Sequence, residues 1–197
     1  TESSSVHVAL AFQGANHQNA LPLLVAQEVL GNNRRSGRIQ RNILNKNAFI
    51  DGAQAFSASY EETGLFGLKV SGSASHVIFD FIVGAQVANV AAKELADLRN
   101  VTPAEVELAK QSLRARVSLE HTTSWRRLED RIKALVYTGS AQVNISEAID
   151  KVSVADVQNA VSQALKTPLL KSLKEDKLID FQVMKIYQKP SNDINKA

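Results

Sequence analysis

The chain has 197 residues, 44% hydrophobic and 22% charged, which is enough apolar material for a domain with its own core and excludes a mainly disordered chain. Its 23 basic and 20 acidic side chains leave a net charge of +3, and only 6% of residues are aromatic, so the concentrated basic face of a nucleic-acid binder is excluded. With no cysteine, disulfides, thiolate metal sites and a cysteine nucleophile are excluded too.

Val6, Val8, Leu10 and Phe12 alternate in a first predicted strand, and Gly14, Asn16 and Asn19 mark the loop behind it. Leu21, Leu24, Val25 and Val29 follow helical spacing to a stop at Gly31, with Glu28 an acid on an otherwise apolar stripe. Ser36 caps a short helix carrying Ile39, Ile43 and Leu44. Residues 49–60 and 65–70 are strands joined by the acidic turn Glu61-Glu62-Thr63-Gly64, the pattern of a hairpin. A long helix spans residues 75–98. That stretch is the longest apolar candidate. It is broken by Asp80, Gln86, Asn89, Lys93, Glu94 and Asp97, so it falls short of the roughly 20 apolar residues of a membrane span. Any membrane association is expected to be docking, not spanning.

Thr102-Pro103-Ala104-Glu105 combines a capping hydroxyl, a proline at the first helical position and a reciprocal acid, and opens a helix to about Glu120. Residues 125–137 form a further helix, and residues 146–152 a short one. Ser153 and Asp156 begin another, through Leu165. Residues 178–187 alternate as a final strand. Strands and helices are segregated, which predicts an α+β, two-layer domain with a largely antiparallel sheet and helices on one face. The expected domain is residues 1–189, with a polar tail at 190–197. Nothing near Thr1 reads as a signal or transit segment, and the chain reads as a processed or excised piece, with any targeting signal expected upstream.

Chemistry is sparse. His7, His17, His76 and His121 fall in no H-x-x-E-H or H-E-x-x-H pattern, and only His76 has a carboxylate one turn on, at Asp80. Two ligands do not make a metal site. His121 reads as a surface residue at a helix end and His7 as a strand residue with a structural partner. Tyr60, beside a turn, is structural. Gly64 and Gly67 do not fit a phosphate loop, because they lie in a hairpin. Arg34, Arg35, Arg38 and Arg41 form a basic cluster that is either a solvated helix face or a docking surface. Arg114, Arg116, Arg126, Arg127 and Arg131 are interleaved with acids and read as an ion-paired helix surface. Trp125, spaced with Leu128 and Ile132, reads as core or a half-buried anchor and not as a cofactor platform. No catalytic, cofactor-binding or metal-binding residue is assigned, and no cofactor is expected.

The segment Ser59-Tyr60-Glu61-Glu62-Thr63-Gly64-Leu65-Phe66-Gly67-Leu68 resembles a recurrent segment of the pitrilysin-type (M16) peptidase superfamily. The Leu-Gly at 30–31, the stretch from Ser36 to Asp51, the capped helix from Val101 and the Ile149–Val157 segment are similar to further family elements, so the resemblance covers residues 6 to about 165. Members have two such halves. The resemblance implies that this is the C-terminal one, which in active enzymes supplies an Arg and a Tyr, seven residues apart, that contact substrate. Aligned from Ser36 and Arg38, those positions are Leu44 and Asp51. Leucine cannot donate to a developing oxyanion and aspartate would oppose one, so a non-catalytic half is implied.

Residues 56–60, Phe-Ser-Ala-Ser-Tyr, resemble most the core protein 2 branch of the bc1 complex (complex III). That resemblance implies a structural and assembly subunit on the matrix side of the mitochondrial inner membrane. Its implied partners are a homologous core protein 1-like subunit, other bc1 subunits and its own upstream N-terminal half. The alternative is the non-zinc subunit or half of a mitochondrial processing peptidase. It would cradle a basic amphipathic presequence against acids such as Asp51, Glu61 and Glu62. After Leu165 the chain departs from the family pattern, with no glycine beyond Gly139.

Overall fold

The structure, a computed structural model, describes residues 4–31, 37–74, 80–120, 128, 132, 145–166, 168–174 and 177–179. Strand β1, Ser4–Gly14, is followed by a 3-10 turn at His17–Asn19 and helix α1, Leu21–Leu30. A π-helical turn at Ile39–Leu44 leads into β2, Ile50–Ser59, and β3, Gly64–Ala74. Helix α2 is Asp80–Asp97, and after a 3-10 turn α3 is Pro103–Glu120. Helices α4, Ile145–Lys151, and α5, Val154–Ala164, precede the strands β4, Pro168–Lys174, and β5, Lys177–Ile179.

Among the described residues one sheet of five strands runs in the order β2-β3-β1-β4-β5, and every neighbouring pair is antiparallel. The register explains the core. Val8 lies opposite Val70, Leu10 opposite Leu68 and Phe12 opposite Phe66, and Ala53 and Ala55 extend the same face on β2. All eight are buried, because a period of two puts them on the side covered by helices. Each large side chain taken fully out of water contributes about 1.5–3 kcal/mol. Along α1, Val25, Ala26, Val29 and Leu30 meet that layer; Val87, Ala91 and Leu95 do so from α2, and Val157 and Val161 from α5. On the other face, His7, Gln54 and Lys69 are exposed. The expected α+β, two-layer architecture is what the molecule adopts.

Two expectations change. The short helix after Ser36 is a π-helical turn over Ile39–Leu44, closed by the Asn45 amide donating to the Gln40 carbonyl at 3.0 Å. Asn side chains hold this wider turn: Asn47 donates to the Ile43 carbonyl at 2.8 Å, and Asn45 accepts from Gln40 at 2.8 Å. The stretch after Leu165 holds a strand, β4, paired along β1 from His7–Leu173 to Phe12–Pro168. Its mixed Leu and Lys pattern hides it until β1 supplies a partner. Leu128 and Ile132 are helical and 51% and 52% exposed, while Trp125, with which they share helical spacing, lies outside the described residues. The rest of the helix expected at 125–137, the strand beyond Ile179 and the tail at 190–197 lie outside the described residues.

Two glycine positions are dictated by close approach. Gly31 ends α1 with φ +90°, and a Cβ there would meet the Gly37 Cα at 2.6 Å. At Gly67 a Cβ would run into the Leu10 carbonyl of the adjacent strand and lie 2.6 Å from the Phe56 ring. The glycine of the hairpin motif therefore serves strand packing.

Candidate functional site

The described chemistry concentrates where the π-helical turn meets the start of α3. Arg38, immediately before the turn, is buried. Its Nε donates to Glu105 Oε1 at 2.8 Å and its Nη2 to Glu105 Oε2 at 2.7 Å, a two-pronged pair. Its remaining donors reach the Asp97 carbonyl at 2.9 Å and the Asn100 carbonyl at 3.3 Å. Thus one guanidinium neutralises an acid and satisfies carbonyls where α2 ends. Glu105 also accepts from the Thr102 amide at 3.0 Å, while its own amide donates to Thr102 Oγ1 at 3.3 Å. This completes the expected capping box. The Arg38 hydrogen bonds, with those from Thr102, hold the Glu105 carboxyl at a pKa of about 2.

The proposed basic cluster therefore does not act as one surface. Arg38 is internal, and Arg41 is exposed but within 3.5 Å of Glu105. Arg34 and Arg35 lie outside the described residues. Glu94, which also feels the charge of Arg38, is buried and accepts from Asn42 at 3.2 Å. Burial pushes its carboxyl above the ordinary range. A cleft of about 360 Å³ opens there, lined by Asn42, Lys46, Asn47, Lys93, Glu94 and Asp97.

A second buried acid resolves the anomaly on the α1 stripe. The Glu28 side chain is 1% exposed, lies 2.8 Å from Arg116 Nε and accepts from the Ser112 hydroxyl at 3.0 Å. Arg114 contacts Glu107 at 3.4 Å and Asp150 at 3.2 Å. This part of the second arginine group is ion-paired as expected; Arg126, Arg127 and Arg131 lie outside the described residues.

Leu44 is half-buried against the core, and Asp51 is exposed at the start of β2, beside a register shift between Ile50 and Gly52. The hairpin tip holds Glu61 and Glu62, with the Tyr60 amide donating to the Thr63 carbonyl at 2.8 Å. Strand geometry puts Asp51 about 30 Å from this tip at ~3.3 Å per residue, so the three acids proposed to line a presequence site are not brought together. Tyr60 is 54% exposed. His17 docks through its backbone, whose amide donates to the Tyr60 carbonyl at 2.8 Å. His76, His121 and Trp125 lie outside the described residues. Among the described residues no three His, Cys, Asp or Glu side chains are grouped to hold a metal.

A groove of about 620 Å³ lies between the end of β1 and the start of α1 on one side and α4 and α5 on the other. Gln13, Gln18, Asn19, Asn159 and Gln163 give it an amide lining. Its one described carboxylate, Asp156, is committed to the Ser153 cap, accepting from the Ser153 amide at 2.8 Å and its hydroxyl at 2.7 Å. Sequence reasoning did not find this groove, because its walls come from segments more than 100 residues apart.

Residues 1–113 match the family model described as the Peptidase M16 inactive domain. The chain belongs to the M16 peptidase family. This M16 domain is 27% identical over 187 residues to the mitochondrial-processing peptidase subunit alpha of Solanum tuberosum, covering 85% of this chain and 36% of that protein. It is 29% identical over 178 residues to the subunit beta of Lentinula edodes, covering 83% and 36%. The chain thus spans about a third of the length of these relatives. Its fold is similar to that of a chain in complex III2 from Candida albicans bound to Inz-5, with a TM-score of 0.71 at 18% identity, covering 88% of this chain and 44% of that one. A protease from Helicobacter pylori gives a TM-score of 0.67 at 15% identity, covering 83% and 39%.

Proposed function

We propose that this M16 domain is the C-terminal half of a non-catalytic core subunit of mitochondrial complex III, of the core protein 2 type, with no catalytic, metal or cofactor residue of its own. The observation that carries this reading is at the π-helical turn. The position at which the family resemblance puts a substrate-contacting arginine holds Leu44, half-buried against the core. The neighbouring arginines, Arg38 and Arg41, both engage Glu105. Seven residues beyond Leu44, Asp51 carries the charge that a developing oxyanion repels. Fold similarity to a chain of complex III2 supports the same assignment. On this reading the protein sits on the matrix side of the inner membrane, docked through the complex. No described helix is long and apolar enough to cross a membrane. Its partners are a homologous core protein 1-like subunit, other bc1 subunits and its own upstream half. Residues 1–189 are one domain, and 190–197 a tail.

A second reading is favoured by the sequence relatives, which are processing peptidase subunits. In it, the domain belongs to the non-zinc subunit of such a peptidase and helps to bind presequences. Native-gel fractionation of detergent-solubilised mitochondria carrying the tagged full-length protein separates the two. Co-migration with b- and c-type haem absorbance is the expected outcome. Migration as a small, haem-free heterodimer that cleaves presequences overturns the core-subunit assignment.

A further inference from the structure

Helix α3 carries two working faces. Val106, Ala109, Lys110 and Leu113 are buried against the domain. On the opposite side Ala104, Leu108, Ala115 and Leu119 fall on one stripe at 3.6 residues per turn, and all four are exposed. Leu108 is 57% and Leu119 67% exposed, values far from those of the helix's inner leucine, Leu113, at 2%. The apolar outer stripe therefore runs most of the length of an 18-residue helix.

The order of side chains along the stripe is self-complementary. Reversing the helix about a point between Gln111 and Ser112 sets Leu108 opposite Ala115 and Leu119 opposite Ala104, since each pair of numbers is equidistant from that point. Large residues then meet small ones twice over, the condition for close packing of two helices. A parallel arrangement stacks Leu108 on Leu108 and Ala115 on Ala115, which leaves voids. The charges agree with the reversed pairing. Glu107 and Arg114 share one flank of the stripe and already approach each other within 3.4 Å on the surface. Reversal brings Glu107 of one copy within about 3 Å of helical rise of Arg114 of the other, on the same flank of the pair.

We propose that α3 is a self-association surface, across which a second copy of this chain packs its own α3 antiparallel about a two-fold axis at Gln111 and Ser112. The partner is defined by this pattern: leucines where this chain has alanines, and an opposite charge order on the flank. One helix face is smaller than the ~800 Å² per partner of a standard interface, so the contact is expected to be weak and reversible. The inference stands apart from the proposed function, because it rests on the outward stripe of α3 alone.

Sedimentation velocity of the purified full-length protein over a concentration series is the test. Reversible dimerisation is expected. It is weakened at least tenfold by Leu108→Glu and by Ala115→Trp, which act at opposite ends of the same large-to-small contact. Both positions are exposed, so circular dichroism of the variants is expected to match the parent. Oxidation of Gln111→Cys is expected to give a covalent dimer whose linked peptide, identified by mass spectrometry, joins residue 111 to residue 111. Lys93→Cys on α2 is expected to give none. A monomer at all concentrations overturns the proposal. So does a dimer indifferent to both stripe substitutions and not linked through 111. Occupation of the stripe by an unrelated subunit while copies stay separate overturns it as well.

Discussion

Glu105 and Glu94 both feel the charge of Arg38, yet their carboxyls are driven in opposite directions. Glu105 receives both prongs of the guanidinium and two hydrogen bonds from Thr102, which lower its pKa to about 2. Glu94 is more deeply placed and accepts from an Asn42 amide, and burial raises its pKa. Proximity to a cation is therefore not what decides the charge of a carboxylate. Directed donors offset desolvation at Glu105 but not at Glu94.

The largest way to break this comparison is Arg38→Ala. It leaves Glu105 without its fork and uncovers the Asp97 and Asn100 carbonyls, and the expected loss is about 3–5 kcal/mol, read by urea denaturation. Arg38→Lys keeps the charge but loses the planar fork, and is expected to recover only part of the loss. Glu105→Gln comes next, at about 1.5–3 kcal/mol near neutral pH, because it removes charged hydrogen bonds while conserving volume. Its pH dependence follows from a folded pKa below the unfolded one. The Glu105 contribution is present in full above the ordinary value of 4.5 and is lost as pH falls towards about 2, so the parent and Glu105→Gln curves converge there.

The smallest expected effect has the opposite sign. Glu94 has its folded pKa above its unfolded value, so its ionised form opposes folding at neutral pH, and that cost fades as pH falls through the folded pKa. Glu94→Gln preserves an acceptor for Asn42 and is expected to stabilise the protein by up to about 1 kcal/mol at neutral pH, with no gain in acid. Thermal melts at pH 7 and pH 4 measure it. A destabilised Glu94→Gln at pH 7 overturns the contrast between the two acids.

Local rules were enough for much of the fold. The Thr102–Glu105 and Ser153–Asp156 capping boxes were readable because both partners lie within one helical turn. The β2–β3 hairpin was readable from alternation on both sides of an acidic, glycine-bearing turn. Other features had no local signature. Arg38 reads as one of four surface arginines until α3, 67 residues away, delivers Glu105 to it. Glu28 is an error on an apolar stripe until α3 brings Arg116 and Ser112 across 84 residues and more. Strand β4 needs β1, more than 150 residues earlier, to make its pattern a strand. By itself the sequence determined where helices start, which strand faces are apolar and which family segment the chain carries, because capping, alternation and turn chemistry act over a few residues. The tertiary structure alone decided which charges are buried, which acid is driven up and which down in pKa, and which helix face is left outward, because desolvation and pairing depend on partners that only folding brings together.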